Sequence, residues 1–225
     1  MSRPLRFVIP GLPHHVTQRG NYRQPVFFED KHYLLYLRLL RAYSYRFGVA
    51  VQAYCLMPNH AHLILSPPKT NSLARLMQRL NSDYARALHL QLGRLGHLWQ
   101  ARYYSTPMDE SHFWSAMVYV EQNPQRANLV ERCWDWPWSS ACAHMRGAED
   151  SLLEMNEWRQ RYTPESWKNC LELGLQDAAL LERIRESTGK GWPLGSADFL
   201  ANLERDLGRS VRRGVPGPSA KAASC

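Results

Sequence analysis

The chain has 225 residues, a net charge of +8, and hydrophobic and charged contents of 44% and 21%. These values are ordinary for a soluble globular protein, and the length allows one domain with an extension or two small domains. No apolar stretch approaches the roughly 20 residues of a membrane helix. Prolines interrupt the N-terminal "MSRPLRFVIPGLPHH", so we expect neither a membrane partner nor a signal peptide.

The cysteines argue against secreted and zinc-ribbon classes. Five cysteines are scattered along the chain, an odd number, and no two of them have the CxxC spacing. This usage favours a reducing compartment over a disulfide framework or a zinc ribbon. The sequence therefore predicts a cytoplasmic protein.

The basic surplus lies in one part of the chain. Residues 1–150 carry 17 Lys and Arg against 10 Asp and Glu, whereas residues 151–225 carry 11 against 10. Such a distribution suits a polyanionic partner such as nucleic acid. A solvated basic surface without a specific partner explains the charge equally well.

The hydrophobic pattern of residues 14–65 predicts a strand, a helix and a β-hairpin. "HHVTQRG" (14–20) alternates and reads as a strand, and Asp30 is placed to cap a helix that runs to Phe47 and stops at Gly48. "VAVQAYCLM" and "AHLIL" are rich in strand formers and flank the turn signal Pro58-Asn59. These two segments therefore predict a β-hairpin.

The next elements complete a recognisable order. A second helix is predicted from Asn71 or Ser72 to about Leu92, followed by a strand in "LWQARYYSTPM". Asp109 caps a third helix, "ESHFWSAMVYVEQN", which Pro124 is expected to end. The order βαββαβ plus a helix predicts an α+β, ferredoxin-like antiparallel sheet with helices on one face.

The residues after 145 predict a helical C-terminal extension. "RGAEDS" resembles a linker, and "AALLERIRES" and "ADFLANLERDL" are amphipathic. We therefore divide the chain into a domain over 1–145, a helical extension over 146–208 and a basic, disordered tail over 209–225. The extension is expected to pack against the main domain, although a small DNA-binding appendage is an alternative.

Two histidines stand out in the hairpin. His60 and His62 lie two residues apart in "MPNHAHLIL", so a strand would point both imidazoles to the same face. Two imidazoles on one face can bind a metal ion if a third ligand joins them. The spacing alone fits a pair of structural histidines as well.

The third helix offers groups that could complete such a site. Tyr119 and Asn123 are four residues apart in "YVEQNP" and share a helix face, and Gln122 is the alternative amide. An amide oxygen could join the imidazoles, and the phenol of Tyr119 could act as a nucleophile. Equally, Tyr119 could be a core aromatic and Asn123 a helix-end residue.

Three motifs together resemble a known family. "HHVTQRGNYRQPVFF", "MPNHAHLIL" and "YVEQNPQRANLV", with "WPWSS" at 136–140, are similar to the single-tyrosine HUH transposases. More narrowly, they resemble the bacterial REP-associated tyrosine transposases. The resemblance spans most of residues 7–145, and "TGKGWPLGSADFLANLERDLGR" resembles the extension of these proteins.

The resemblance implies a metal-dependent endonuclease that cleaves and rejoins single-stranded DNA at hairpins, through a 5′-phosphotyrosine intermediate. It implies that Tyr119 is the nucleophile and that His60 and His62 bind Mg²⁺ or Mn²⁺. Asn123 matches the position of a third ligand that is often glutamine in relatives. The partner would be hairpin-forming DNA, and the chain would act as a monomer or a homodimer in a bacterial cytoplasm.

Several basic or polar residues are candidates for gripping the DNA backbone. They follow the first strand, form a stripe on the second helix, or lie on the last strand: Arg19, Asn21, Arg23, Arg75, Arg79, Arg86 and Arg102. Two other functions stay open. One is a replication initiator or relaxase with the same constellation, and the other is a non-catalytic module that binds single strands.

Overall fold

The computed structural model describes residues 6–147 and 149–211. Four strands form one sheet: β1 (His14–Arg19), β2 (Ala50–Met57), β3 (His60–Ser66) and β4 (Tyr104–Pro107). The helices of the first part are α1 (Asp30–Phe47), α2 (Ser72–Leu92), α3 (Glu110–Glu121), α4 (Asn123–Arg126) and α5 (Ala141–Arg146). The later helices are α6 (Asn156–Arg161), α7 (Pro164–Leu173), α8 (Ala178–Lys190) and α9 (Ala197–Leu207).

The sheet has the strand order β2-β3-β1-β4, and every neighbouring pair is antiparallel. With α1 after β1 and α2 after β3, this is the predicted ferredoxin-like βαββαβ arrangement. The hairpin of β2 and β3 turns at Pro58 and Asn59, as predicted. Its register sets His62 opposite Cys55 on one side and opposite Thr17 of β1 on the other.

Each face of the sheet carries its own core. Val16, Leu63 and Leu65 join the apolar faces of α1 and α2 in one cluster. Cys55 and Ile64, which point the other way, join α3 and the extension in a second cluster. The two helices within the βαββαβ motif thus share one face, and α3 with the extension covers the opposite face.

Local signals explain most helix ends. Gly48 and Gly93 adopt left-handed φ angles of 64° and 61° and end α1 and α2. Asp109 accepts a hydrogen bond from the His112 amide at 3.0 Å and caps α3 as predicted. At α1, however, Glu29 and not Asp30 is the cap: its backbone N–H donates to His32 Nδ1 at 3.1 Å, and its carbonyl oxygen accepts from the His32 amide at 2.8 Å.

Two boundaries differ from the sequence prediction. The last strand spans Tyr104–Pro107 and not the whole of 98–108, because Trp99 makes only an isolated bridge to Gly20. Helix α3 ends at Glu121, before Pro124, and Pro124 belongs to the next helix. It occupies the first turn of the short helix α4, where its missing N–H has no helical partner to lose.

The extension is more helical than predicted, since α6 and α7 were not expected. Trp158 and Trp167 of these helices are buried in the second cluster, beside α3. The domain boundary at 145 and the role of 209–225 stay predictions, and residues 212–225 lie outside the described part of the chain. None of the helices described has the length and hydropathy needed to cross a bilayer.

Candidate active site

The two histidines of β3 share the face of the sheet that α3 covers. The His60 and His62 ring centroids are 4.8 Å apart, and the rings are nearly perpendicular. Tyr119 is buried, and its ring centroid lies 6.0 Å from that of His62 in an edge-on arrangement. The structure therefore brings together three residues from two elements, β3 and α3, that are far apart in the sequence.

A third histidine completes this cluster. His15 of β1 lies between the two elements, with its Nε2 atom 2.9 Å from Nδ1 of His62. Its ring centroid is 5.9 Å from that of Tyr119. His15 cannot be recognised as part of the site from the sequence, because local alternation does not show that β1 pairs with the strand of His60 and His62.

Burial keeps these imidazoles neutral. Desolvation, reinforced by the Arg126 charge, lowers the pKa of His15 to about 3. Desolvation, and then the Arg19 charge, lowers the pKa of His60 to about 4. Desolvation and then the neighbouring imidazoles hold the pKa of His62 well below its usual range. All three rings therefore keep a nitrogen lone pair at neutral pH.

The hydrogen bonds of the two β3 histidines leave the same nitrogen free on each ring. His60 Nδ1 is 2.5 Å from Asn59 Oδ1, and the Asn59 amide group is oriented by donating to the Arg23 carbonyl oxygen. His62 Nδ1 is bonded to His15. Among the described residues, neither Nε2 atom has a hydrogen-bond partner, which is the pattern that metal-ligating histidines show.

The amides of the third helix region are already engaged. Asn123 donates through Nδ2 to the Val120 carbonyl oxygen at 3.1 Å, and its Oδ1 accepts from Arg126 at 2.8 Å. An amide oxygen has a second lone pair, so Asn123 could still ligate a cation. Gln122 instead donates to the Leu171 carbonyl oxygen at 2.7 Å and faces the extension.

Arg126 is a second residue beside Tyr119 that no local sequence signal marks. Its guanidinium carbon lies 4.2 Å from the centroid of the Tyr119 ring, and Nη2 donates to the Tyr119 carbonyl oxygen at 2.7 Å. Its Nη1 atom is buried, and no hydrogen-bond acceptor contacts it in the described part of the chain. A buried cationic donor without an acceptor beside a tyrosine is suited to binding an anion.

Comparison with known proteins identifies the family. Residues 9–123 match the family model "Transposase IS200 like". This match covers β1 to α3 and includes the three histidines and Tyr119. The chain belongs to the IS200-like transposase family.

Two solved structures resemble this transposase. One is a REP-associated tyrosine transposase bound to a REP hairpin, with a TM-score of 0.53, 19% identity, and coverage of 68% of this chain and 92% of that chain. The other is described as a transposase from Deinococcus radiodurans, with a TM-score of 0.38, 21% identity, and coverage of 54% and 97%. No curated protein sequence matches the chain.

The predicted DNA-contacting residues fall into three places on the transposase. Arg19 lies opposite His60 in the strand register, and Asn21 and Arg23 follow in the turn that contacts Asn59. The α2 residues lie across the sheet from the histidines: Arg75 stacks on Phe47, Arg79 is exposed, and Arg86 pairs with Asp83. Arg102 lines a cavity of about 400 Å³ beside β4.

The tryptophans of "WPWSS" have structural contacts in the transposase. Trp136 donates through Nε1 to the Leu56 carbonyl oxygen at 3.0 Å, and Trp138 stacks on Tyr33 with centroids 4.7 Å apart. The backbone of Trp138 accepts a hydrogen bond from Leu56, and Ser140 donates to Tyr54. This segment therefore runs along the outer edge of β2 and covers it.

Proposed function

We propose that this transposase cleaves and rejoins single-stranded DNA at hairpin sequences, with Tyr119 as the nucleophile. The main observation behind the proposal is that Tyr119 lies beside the histidine pair, with 6.0 Å between the ring centroids of Tyr119 and His62. The similarity in fold to a REP-associated transposase solved with a REP hairpin supports placing this chain in that group.

In the proposed reaction, the phenolic oxygen of Tyr119 attacks a backbone phosphorus of the DNA. The bond from phosphorus to the 3′ oxygen breaks, and the proton lost by the phenol is balanced by the proton gained at the new 3′ hydroxyl. The tyrosine then holds the 5′ phosphate as an ester. Attack by another 3′ hydroxyl on that ester joins the strands and frees Tyr119.

His60, His62 and Asn123 are the residues proposed to hold Mg²⁺ or Mn²⁺. The free Nε2 atoms of the histidines and the second lone pair of Asn123 Oδ1 fit this assignment, and Gln122 would first have to leave Leu171. No group of three His, Cys, Asp or Glu side chains among the described residues forms a metal site by itself. When bound, the ion would neutralise charge on the non-bridging phosphate oxygens.

Arg126 is proposed to bind the same phosphate. Its orphaned Nη1 donor lies beside Tyr119, and a phosphate oxygen would satisfy it. Because Arg126 also bonds to the Tyr119 carbonyl oxygen and to Asn123 Oδ1, one side chain would align the phosphate, the tyrosine and the amide.

The placement of the other basic residues suggests how the DNA approaches. Arg19, Asn21 and Arg23 surround the hairpin turn next to His60, so they are proposed to hold the strand that enters the site. Arg102, at the β4 edge, is proposed to contact an adjoining part of the strand. Arg75, Arg79 and Arg86 could contact only DNA that extends past the opposite face.

The proposal is tested with end-labelled single-stranded oligonucleotides that carry palindromes from the DNA flanking the gene. With Mn²⁺, the wild-type protein should give a protein-linked band on a denaturing gel, and EDTA should abolish it. Tyr119→Phe and His60→Ala should lack the band. Tyr104→Phe is the matched control, because Tyr104 is exposed on β4 and should keep it. An adduct that survives Tyr119→Phe would contradict the proposal.

The same assay separates the alternatives. A non-catalytic module would retain the oligonucleotide equally well in EDTA and form no adduct with any variant. Strand joining is measured with a second, differently labelled acceptor oligonucleotide. A nickase of the initiator or relaxase type would form the same ester, so it is distinguished by the DNA sequence that it requires.

A further inference from the structure

A chain of hydrogen bonds links the C-terminal extension to the histidine pair. Thr188 of α8 lies with Oγ1 3.0 Å from His15 Nδ1, and His15 Nε2 lies 2.9 Å from His62 Nδ1. We propose that Thr188 and His15 are positioning residues that fix the tautomer of His62 so that its Nε2 lone pair faces the metal site. This inference rests on the proposed function, since it concerns the same site.

The direction of each hydrogen bond follows from proton counting. The Thr188 hydroxyl donates its one proton to the Ile184 carbonyl oxygen at 2.6 Å, as threonines in helices often do. Its oxygen can then only accept, so His15 Nδ1 carries a proton and donates it. A neutral His15 therefore has a bare Nε2, which must accept from His62 Nδ1–H. His62 is left with an unprotonated Nε2.

The other histidine reaches the same state by a different route. The Asn59 amide nitrogen donates to the Arg23 carbonyl oxygen at 3.0 Å, which turns Asn59 Oδ1 toward His60 Nδ1. An amide oxygen can only accept, so His60 carries its proton on Nδ1. The loop after β1 thus orients one ligand, and the extension orients the other.

Helix α8 is held firmly against the strands that carry this site. The Thr106 hydroxyl of β4 donates to the Ser187 carbonyl oxygen at 3.0 Å, and Thr106 pairs with His15 in the strand register. Ile184 is 1% exposed and belongs to the core cluster on this face. The helix is therefore fixed at Ile184 and at Ser187, next to Thr188, so the Thr188 hydroxyl is preorganised toward His15.

The hydrogen-bond chain is expected to affect metal binding by His62 and not the stability of the fold. A proton on Nε2 would leave His62 unable to donate a lone pair to a cation until the ring rearranged. Loss of such outer hydrogen bonds typically weakens metal affinity 10- to 100-fold. The extension, which follows the histidines and the tyrosine in the chain, would thereby contribute to the site without touching the substrate.

The first test measures Mn²⁺ binding to the full chain without DNA, by calorimetry and by electron paramagnetic resonance. Thr188→Val keeps the shape but removes the hydroxyl, and it should weaken Mn²⁺ affinity by about 10- to 100-fold. Thr188→Ser should restore affinity to within about threefold. Ser187→Ala is the matched control, because the neighbouring hydroxyl has no hydrogen bond among the described residues and its carbonyl contact with Thr106 is kept.

The second test needs no variant. Long-range ¹⁵N–¹H correlation spectra of the histidine rings should show the Nδ1–H tautomer for both His62 and His15. An Nε2–H tautomer at His62, or equal Mn²⁺ affinity of Thr188→Val and wild type, would overturn the inference. Wild-type protein that binds no Mn²⁺, with the Nδ1–H tautomers in place, would instead contradict the proposed metal site and leave the hydrogen-bond chain intact.

Discussion

Arg126 shows what an unpaired charge contributes at the scale of a single residue. Its guanidinium is partly buried beside Tyr119, and desolvation lowers its pKa. No carboxylate among the described residues forms an ion pair with it, and its buried Nη1 atom has no acceptor. A partly buried cation without a counterion costs stability, and in the proposed reaction the DNA phosphate would offset that cost.

Replacing Arg126 should therefore slow cleavage more than it weakens binding. We expect Arg126→Gln to lower the single-turnover cleavage rate by about 10²- to 10³-fold, the usual effect of losing one preorganised donor. Arg126→Lys should recover only part of this rate, because lysine keeps the charge but lacks the planar fork. Arg132→Gln is the control, since Arg132 is exposed and paired with Asp135. A change below threefold for Arg126→Gln would refute the assigned role.

At the scale of elements, α3 is clamped between the sheet and the extension. Tyr119 faces the histidines, whereas Glu121, two residues later, is fully buried against α5 and the extension. Glu121 accepts hydrogen bonds from Ser140, from Trp167 at 2.9 Å and from His144. This buried cluster fixes the rotation of α3 and with it the direction in which Tyr119 points.

Removal of the Glu121 carboxylate should destabilise the fold. We expect Glu121→Ala to lower the free energy of unfolding by about 3–5 kcal/mol, because three donors lose their shared acceptor in a dry site. Glu110→Ala should change it by less than about 0.5 kcal/mol, since Glu110 lies at the exposed end of the same helix and its pair with Arg161 is solvent-screened. Urea unfolding monitored by tryptophan fluorescence provides both values, and similar values for the two variants would count against the clamp.

Helices and strands whose signals lie within their own segment were predicted well, and those that depend on distant contacts were not. Helices α1 and α2 were predicted to within a residue or two, because apolar periodicity and the stops at Gly48 and Gly93 lie within the segments. The strand before α3 was overestimated, because its pairing with β1 changes register: Thr17 pairs with Tyr104 but Gly20 pairs with Trp99, so residues 100–103 leave the ladder. Helices α6 and α7 were missed because they are stabilised mainly by burial of Trp158 and Trp167 against distant residues.

At the scale of the whole molecule, the basic residues lie on two sides of the sheet. Arg19 and Arg23 lie beside the hairpin turn of His60, whereas Arg75 and Arg79 lie on α2 behind the opposite face. These four arginines therefore do not form one continuous strip around the candidate site. Under the proposed function, the first of these two pairs would hold the strand whose phosphate reaches Tyr119.

Because the two arginine pairs lie on opposite faces, we expect them to contribute differently to the salt dependence of DNA binding. For single strands, each lost phosphate contact reduces the slope of log K against log salt by about 0.7. The double variant Arg19→Gln/Arg23→Gln should reduce the slope for a single-stranded flank by about 1.4. Arg75→Gln/Arg79→Gln should leave it nearly unchanged, as measured by fluorescence anisotropy between 50 and 300 mM NaCl. Equal reductions would show that the strand crosses both faces.

The amino-acid sequence alone determined the local elements, the shared strand face of His60 and His62, and the motifs that resemble HUH transposases. Each of those features depends on residues that are close together in the sequence, where side-chain periodicity and helix capping determine the local structure. Only the tertiary structure decided that His15 and Arg126 join Tyr119, and that Thr188 reaches His15 across 173 positions. Periodicity assigns a side chain to a face, but strand order and helix docking decide which faces meet.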